Sequence, residues 1–182
     1  MPRITPVRER LHQPLWSGWR MGFAHPLLKD MNLFVGSLGN VVATNAKTAA
    51  CLVSDRSALI SRIGVFASFD SMEDYEEFWL KGSLDFIMNG RLFHQLNMSE
   101  VEVPDEHERL KSGLPKPTHE YGYFGWFTFE LPLEIAPRSE FFVQLHSSDE
   151  LVRSMESLWY GPYEDFGAIT VFLDAEMIRE VQ

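Results

Sequence analysis

The six histidines of this 182-residue chain, His12, His25, His94, His107, His119 and His146, are the side chains best suited to metal or acid–base chemistry. A metal-dependent β-barrel enzyme needs two histidines and a carboxylate converging on one ion, and a helical zinc hydrolase needs H-E-x-x-H. Neither H-x-H nor H-E-x-x-H occurs. His94 is expected to face Asp85 across a hairpin as a surface charge pair, and His146 to lie exposed after a strand. Ser61, Ser68 and Ser71 lack the G-x-S-x-G setting of a nucleophile elbow. Cys51, the single cysteine, sits in the apolar stretch "TAACLVS", where a structural thiol is the default. Glu73, Asp74, Glu76 and Glu77 read as a solvated charge run rather than as a general acid and base. "GSLGN" has two glycines and no lysine, unlike a phosphate loop. Trp126, Phe127 and Phe129 could stack on sugars or bases, but on an alternating strand half of them must face a core. The sequence therefore predicts no enzyme, no catalytic residue, no metal site and no cofactor.

The elements that would position any site are β-strands. Hydrophobic residues make up 45% and charged residues 23% of the chain, ordinary values for a globular protein. The length suits one domain with a substantial core. No apolar run approaches the roughly 18 residues of a transmembrane helix, and the first residues lack the apolar region of a secretory signal. One cysteine excludes an intrachain disulfide.

Alternation of period two marks the strands. Ile63, Val65, Ala67 and Phe69 form one buried face. Phe127, Phe129, Leu131, Leu133 and Ile135 form a second, with Pro132 marking an edge or bend. Phe141, Val143 and Leu145 form a third, and Ile169, Val171 and Leu173 a fourth. Short strands are also expected at 33–35 and 41–43. Asn89 and Gly90, between two apolar runs, predict a type I′ hairpin, because both central residues of that turn take positive φ. A two-residue loop places Met88 opposite Arg91, Phe86 opposite Phe93 and Asp85 opposite His94. Ser71 is placed to cap a short helix, although "DSMEDYEEF" reads equally well as a solvated loop; "TNAKTAACL" and "PDEHERLKSG" are candidate helical turns, and "SDELVRSMESLWYGPYEDF", residues 148–166, reads as a short helix or loop. The polar, proline-broken stretch 97–124 reads as a long interaction loop. At the end of the chain, a turn at Asp174, Ala175 and Glu176 is expected to separate two strands. Many short strands with Gly/Pro turns predict an all-β, eight-stranded jelly-roll sandwich or barrel.

Charge is unevenly spread. The net charge is −10. Residues 1–29 carry Arg3, Arg8, Arg10, Arg20 and Lys29 against Glu9, which is +4, and leave −14 for residues 30–182. The acidic bulk should repel nucleic acid phosphates, so no specific nucleic acid recognition is expected. Pro2, Pro6, Pro14 and Pro26 are expected to forbid a long helix or a central strand in the first 30 residues. Trp16, Trp19 and Phe23 argue against full disorder there. Residues 1–30 are thus expected to be an extended arm outside a domain at 31–182. Arg3, Arg8, Arg10, Trp16, Trp19, Arg20 and Phe23 of that arm would then contact a neighbouring molecule or anionic lipid.

Four stretches resemble a known family. "FTFELPLEIAPRSEFFVQL", with Phe141, Val143 and Leu145, is similar to a proline-marked corner followed by an F-x-V-x-L strand. Leu173, Asp174, Arg179, Val181 and Gln182 are similar to a terminal strand, L-D-G turn and R-x-V-Q strand, with Ala175 departing from the glycine. "LKGSLDFIMNGRLF", running on to "VEVP", and "VVATNAKTA" are similar to earlier elements. Together they resemble the single jelly-roll capsid proteins of icosahedral viruses and bacteriophages with an internal membrane. The resemblance implies a structural virion protein, made in the host cytoplasm. Its partners would be copies of itself, other capsid proteins and an internal lipid membrane. A carbohydrate-binding β-sandwich module is the alternative reading, and a cupin-like enzyme a third.

Overall fold

A computed structural model describes residues 7–21, 27–35, 42–44, 57–102, 121–158 and 167–181. In chain order these form β1 (Val7–His12), β2 (Leu15–Met21), β3 (Asp30–Leu33), β4 (Val42–Thr44), β5 (Ser57–Phe69), α1 (Met72–Lys81), β6 (Ser83–Met88), β7 (Arg91–Asn97), a 3-10 turn at Met98–Glu100, β8 (Tyr121–Ile135), β9 (Phe141–His146), α2 (Asp149–Leu158) and β10 (Gly167–Val181).

The strands fall into two antiparallel sheets. The larger runs β4-β2-β10-β5-β8, with β1 also on β10, and the smaller runs β3-β9-β6-β7. Eight of the strands pair in nested fashion: β2 with β10, β3 with β9, β5 with β8, and β6 with β7. Successive nested pairs alternate between the sheets, as when one long hairpin is rolled up. The β10–β5 and β9–β6 ladders then join the pairs within each sheet. This is a jelly roll. Among the described residues it carries two strands beyond the expected eight, β1 and β4, both on the larger sheet.

The core lies between the sheets. Ile63, Val65, Ala67 and Phe69 of β5 and Ile169, Val171 and Leu173 of β10 face Leu33, Leu84, Phe86, Leu96, Val143 and Leu145, all fully buried. Each large apolar side chain among them contributes about 1.5–3 kcal/mol on leaving water. The phases of the β5, β9 and β10 alternations are those read from sequence.

The arm reading is corrected. Residues 7–21 stand inside the larger sheet, so the domain does not begin at 31. The four prolines lie outside β1 and β2, and Pro14 falls between them, so none removes a ladder donor from a strand interior. Leu15, Met21 and Leu27 are buried core residues. The buried Ser17 hydroxyl accepts a bond from the N–H of Phe34 at 3.1 Å. A segment with three residues in the core cannot be an appendage.

The helices are longer than turns. Ser71 caps α1, its Oγ accepting from the Asp74 N–H at 3.1 Å, as its sequence position suggested. The Ser148 hydroxyl accepts from the Leu151 N–H at 3.1 Å, capping α2, and donates to Glu77 of α1 at 2.6 Å. Both helices cover one end of the sandwich, where β5 crosses to β6 and β9 crosses back to β10.

The β6–β7 hairpin turns as expected but pairs differently. Asn89 and Gly90 have φ of 51° and 71°, and Met88 faces Arg91. Phe86, however, lies opposite His94, and Asp85 opposite Gln95, because the ladder shifts by one residue between Ile87 and Phe86. The bulge leaves Phe93 unpaired and turned outward, where it is half exposed. Asn89 also bonds across to Glu140, its N–H to the Glu140 carbonyl at 2.8 Å and its Oδ1 from the Glu140 N–H at 3.0 Å.

Two further registers differ. Leu131 is 81% exposed. The β5–β8 ladder jumps from Arg62 opposite Thr128 to Ile60 opposite Leu133, so residues 129–132, with Pro132, drop out of that ladder opposite Ser61, although Phe129 stays buried in the core. The expected turn after Asp174 is instead a bulge within one 15-residue strand. The extra residue, Ser61, lies on β5, so β10 keeps its inward phase and Ala175 and Met177 remain buried. Alanine suits that position because no left-handed backbone is required there. Arg3, Phe23, His25, Cys51, His107, His119, the turn in "PDEHERLKSG" and all but the first residue of "TNAKTAACL" lie outside the described residues. So does most of the 97–124 loop. Its described start holds the 3-10 turn, and Glu102 bridges to Trp126.

Candidate assembly surface

An antiparallel sheet that covers a core on one side usually shows polar residues on the other. The larger sheet shows aromatic ones. Trp16 on β2, Phe172 on β10, Phe66 on β5, and Phe124 and Trp126 on β8 all occupy the outward phase, half-buried. Register sets them in a band. Phe172 lies opposite Trp16 on one side and Gly64 on the other, while Phe66 lies opposite Phe124 and Gly64 opposite Trp126. Phe124 meets Phe172 with centroids 5.4 Å apart and Trp126 at 4.7 Å, both edge to face.

Gly64 makes room for this band. A β-carbon there would lie 2.5 Å from Phe124 Cζ and 2.9 Å from Trp126 Cζ3. The rings of β8 therefore lean over the glycine to reach β10. The Arg62 guanidinium lies 4.8 Å from the Trp126 ring centroid, a cation–π contact.

The band ends at a charged knot on the β5 bulge. Asp174 Oδ2 accepts from Arg62 Nε at 2.9 Å and Nη2 at 2.7 Å. Its Oδ1 is 2.5 Å from His12 Nε2. Burial pushes the Asp174 carboxyl up, but hydrogen bonds from His12 and Arg62, with their charges, outweigh it and hold the group below the ordinary carboxylate range. The knot joins β1, β5 and β10.

The expected contact residues are divided by this geometry. Trp16 joins the band. Trp19 is in the opposite phase and packs against the core, its indole nitrogen buried with no hydrogen-bond partner among the described residues. Arg10 pairs with Glu176 across β1 and β10 at 3.5 Å. Arg8 and Arg20 lie on β1 and β2. Phe66, Phe124, Phe172, Arg62 and Asp174 were not singled out as contact residues from sequence. Their signal was present in the outward phase of alternating strands, which carried aromatics where polar residues belong.

The histidine assignments are also corrected. His94 faces no carboxylate across the hairpin. Its ring packs on Phe86, Phe127 and Phe129 at 5.2–6.3 Å, because the bulge shifts it one place along the ladder. Asp85 instead accepts from Gln95 at 2.9 Å and pairs with His146 Nε2 at 3.1 Å, while His146 Nδ1 is 2.6 Å from Asp30. Among the described residues no three His, Cys, Asp or Glu side chains are grouped to hold a metal, and no helix is long and apolar enough to cross a membrane.

No protein-family model matches the chain, and no curated protein is significantly similar to it. Among solved structures, the chain is similar to one determined by cryo-EM of the virus-like particle of extra small virus from the giant freshwater prawn Macrobrachium rosenbergii. The two are 9% identical, with 100% of this chain and 88% of that chain covered and a TM-score of 0.36.

Proposed function

We propose that this chain is a non-enzymatic structural subunit of an icosahedral virion shell, assembling with copies of itself. The observation that carries the reading is the aromatic band of Trp16, Phe66, Phe124, Trp126 and Phe172 on the outer face of a jelly roll. A stable protein interface buries roughly 800 Å² per partner, with aromatics and arginine at its centre and a polar rim. The band with Arg62 would supply that centre, and Asp174 with His12 part of the rim. Other coat proteins of the same particle are further partners on this reading. Contact with an internal membrane, and a bacteriophage origin, rest on the sequence resemblance alone.

The same rings count against a sugar-binding platform. Phe124 and Trp126 meet at 75° rather than lying coplanar, and Arg62 covers a face of Trp126. A sugar ring needs such a face free.

Sedimentation velocity and negative-stain electron microscopy of the purified full chain test the proposal, with Phe124→Ser/Trp126→Ser as comparison. The wild type is expected to form closed particles or defined oligomers. The double variant should keep its far-UV circular dichroism and stay monomeric. A wild type that remains monomeric at high concentration, or a folded variant that assembles normally, would overturn it.

A further inference from the structure

Strands β1 and β2 lie end to end along one edge of β10. β2 pairs with residues 167–173 and β1 with residues 176–181. The join, Gln13 and Pro14, falls beside the bulge at Asp174 and Ala175, where the Gln13 N–H donates to the Ala175 carbonyl at 2.9 Å. The two strands are held very differently. β2 sends Leu15, Ser17 and Met21 into the core. Among the described side chains of β1, Glu9 is half-buried and Arg10, Leu11 and His12 are exposed. Its side-chain ties include the exposed Arg10–Glu176 pair and the His12–Asp174 contact. Exposed ion pairs add little to stability, and strands with few buried apolar contacts open first. Pro14 offers no ladder N–H, so opening of β1 can stop there without disturbing β2.

We propose that β1 is an exchangeable strand: residues 7–12 of one copy leave their own β10 and pair with residues 176–181 of a neighbouring copy. This rests on the coat-subunit reading. The occupant is fixed by the groove itself. The edge of β10 already receives this sequence in antiparallel register, with Arg10 beside Glu176 and His12 beside Asp174. A second copy brings the same strand and the same charges. Because exchanged and unexchanged forms share these contacts, proximity decides between them, as in domain swapping. Neighbours held in a shell are present at very high effective concentration. The three peptide units from His12 to Leu15 reach only about 10 Å, so the acceptor must abut the donor near Asp174. That places the exchange beside Phe172 and makes it continuous with the aromatic band.

Engineered disulfides distinguish own from neighbour's strand. In a Cys51→Ser background, Arg10→Cys/Ile178→Cys and Leu11→Cys/Met177→Cys join consecutive register pairs. One of the two is the closely spaced kind that suits a disulfide, and each variant backs up the other if one folds poorly. Particles are oxidised and run on a non-reducing denaturing gel. Exchange predicts chains linked into dimers and longer ladders, whereas dilute unassembled protein should give only intrachain bonds. Particles that yield only intrachain bonds, or free thiols in both variants, overturn the exchange and leave the coat reading intact. A wild type that remains monomeric at high concentration overturns the coat reading, and the inference falls with it.

Discussion

Phe124 of β8 and Phe172 of β10 meet edge to face 5.4 Å apart although a whole strand, β5, runs between them. They reach each other because the intervening residue is Gly64. Restoring a side chain there should separate them. Gly64→Ala is expected to push Phe124 and Trp126 aside at a cost of about 1–3 kcal/mol, the usual range for overpacking. Ring ends can move, so the lower half of that range is expected. Assembly should suffer more than folding. Thermal melts beside sedimentation profiles make the comparison. A variant that assembles like the wild type would show that the band's shape is unimportant.

Asp174 should make the fold sensitive to acid. Its folded-state pKa is below the ordinary carboxylate value, so its contribution is complete above that ordinary value and is lost as pH falls through the depressed one. Asp174→Asn removes the charge that Arg62 and His12 address. At neutral pH it should destabilise by about 1.5–3 kcal/mol, the range for hydrogen bonds to a charged group. The wild-type and Asn melting curves should converge in acid. Curves that stay parallel from neutral pH to pH well below the carboxylate range would refute the assignment.

Gly90 has φ of 71°, and a β-carbon added there would meet no atom within 4 Å. A substitution at this position therefore acts on backbone conformation alone. Gly90→Val should cost about 1–2 kcal/mol, the penalty of a left-handed backbone for an L-residue. Chemical denaturation with an unchanged slope reads it directly, and an unchanged midpoint would count against the turn.

The Ser148 hydroxyl both caps α2 and donates to Glu77 of α1. Ser148→Ala should cost about 1 kcal/mol for the cap. It should also move Glu77, because the Ser148 bond is the largest influence holding that carboxyl below its usual value, with burial opposing and Lys81 assisting. An NMR titration should show the Glu77 pKa rise in the variant. A Glu77 titration identical to the wild type would exclude the link between the helices.

Strict alternation and turn chemistry were legible in the chain alone. Ile63 to Phe69, Phe141 to Leu145 and Ile169 to Leu173 each present one apolar face every second residue, a period that fits a half-buried strand and no helix. Asn89 and Gly90 dictated their turn because few residue pairs accept two positive φ values. A single residue inserted into a ladder leaves no such local mark. The bulges at Phe93 and Ser61 depend on what the partner strand offers, and they decided that Phe86 faces His94 and that Asp174 lies in a strand rather than a turn. The fate of the first 30 residues was likewise tertiary. Their prolines argued against a central strand, yet β2 lies between β4 and β10 because Pro14 falls just before it, and only that pairing gives Leu15 and Met21 a core to enter. The aromatic band is the clearest case. Trp16, Phe66, Phe124, Trp126 and Phe172 come from four strands spread over nearly the whole chain, and an alternating strand says only that its two faces differ. Which face turns outward, and which strands lie side by side, is set by the rolled pairing of β2 with β10 and of β5 with β8, contacts between residues far apart in the chain that no local pattern encodes.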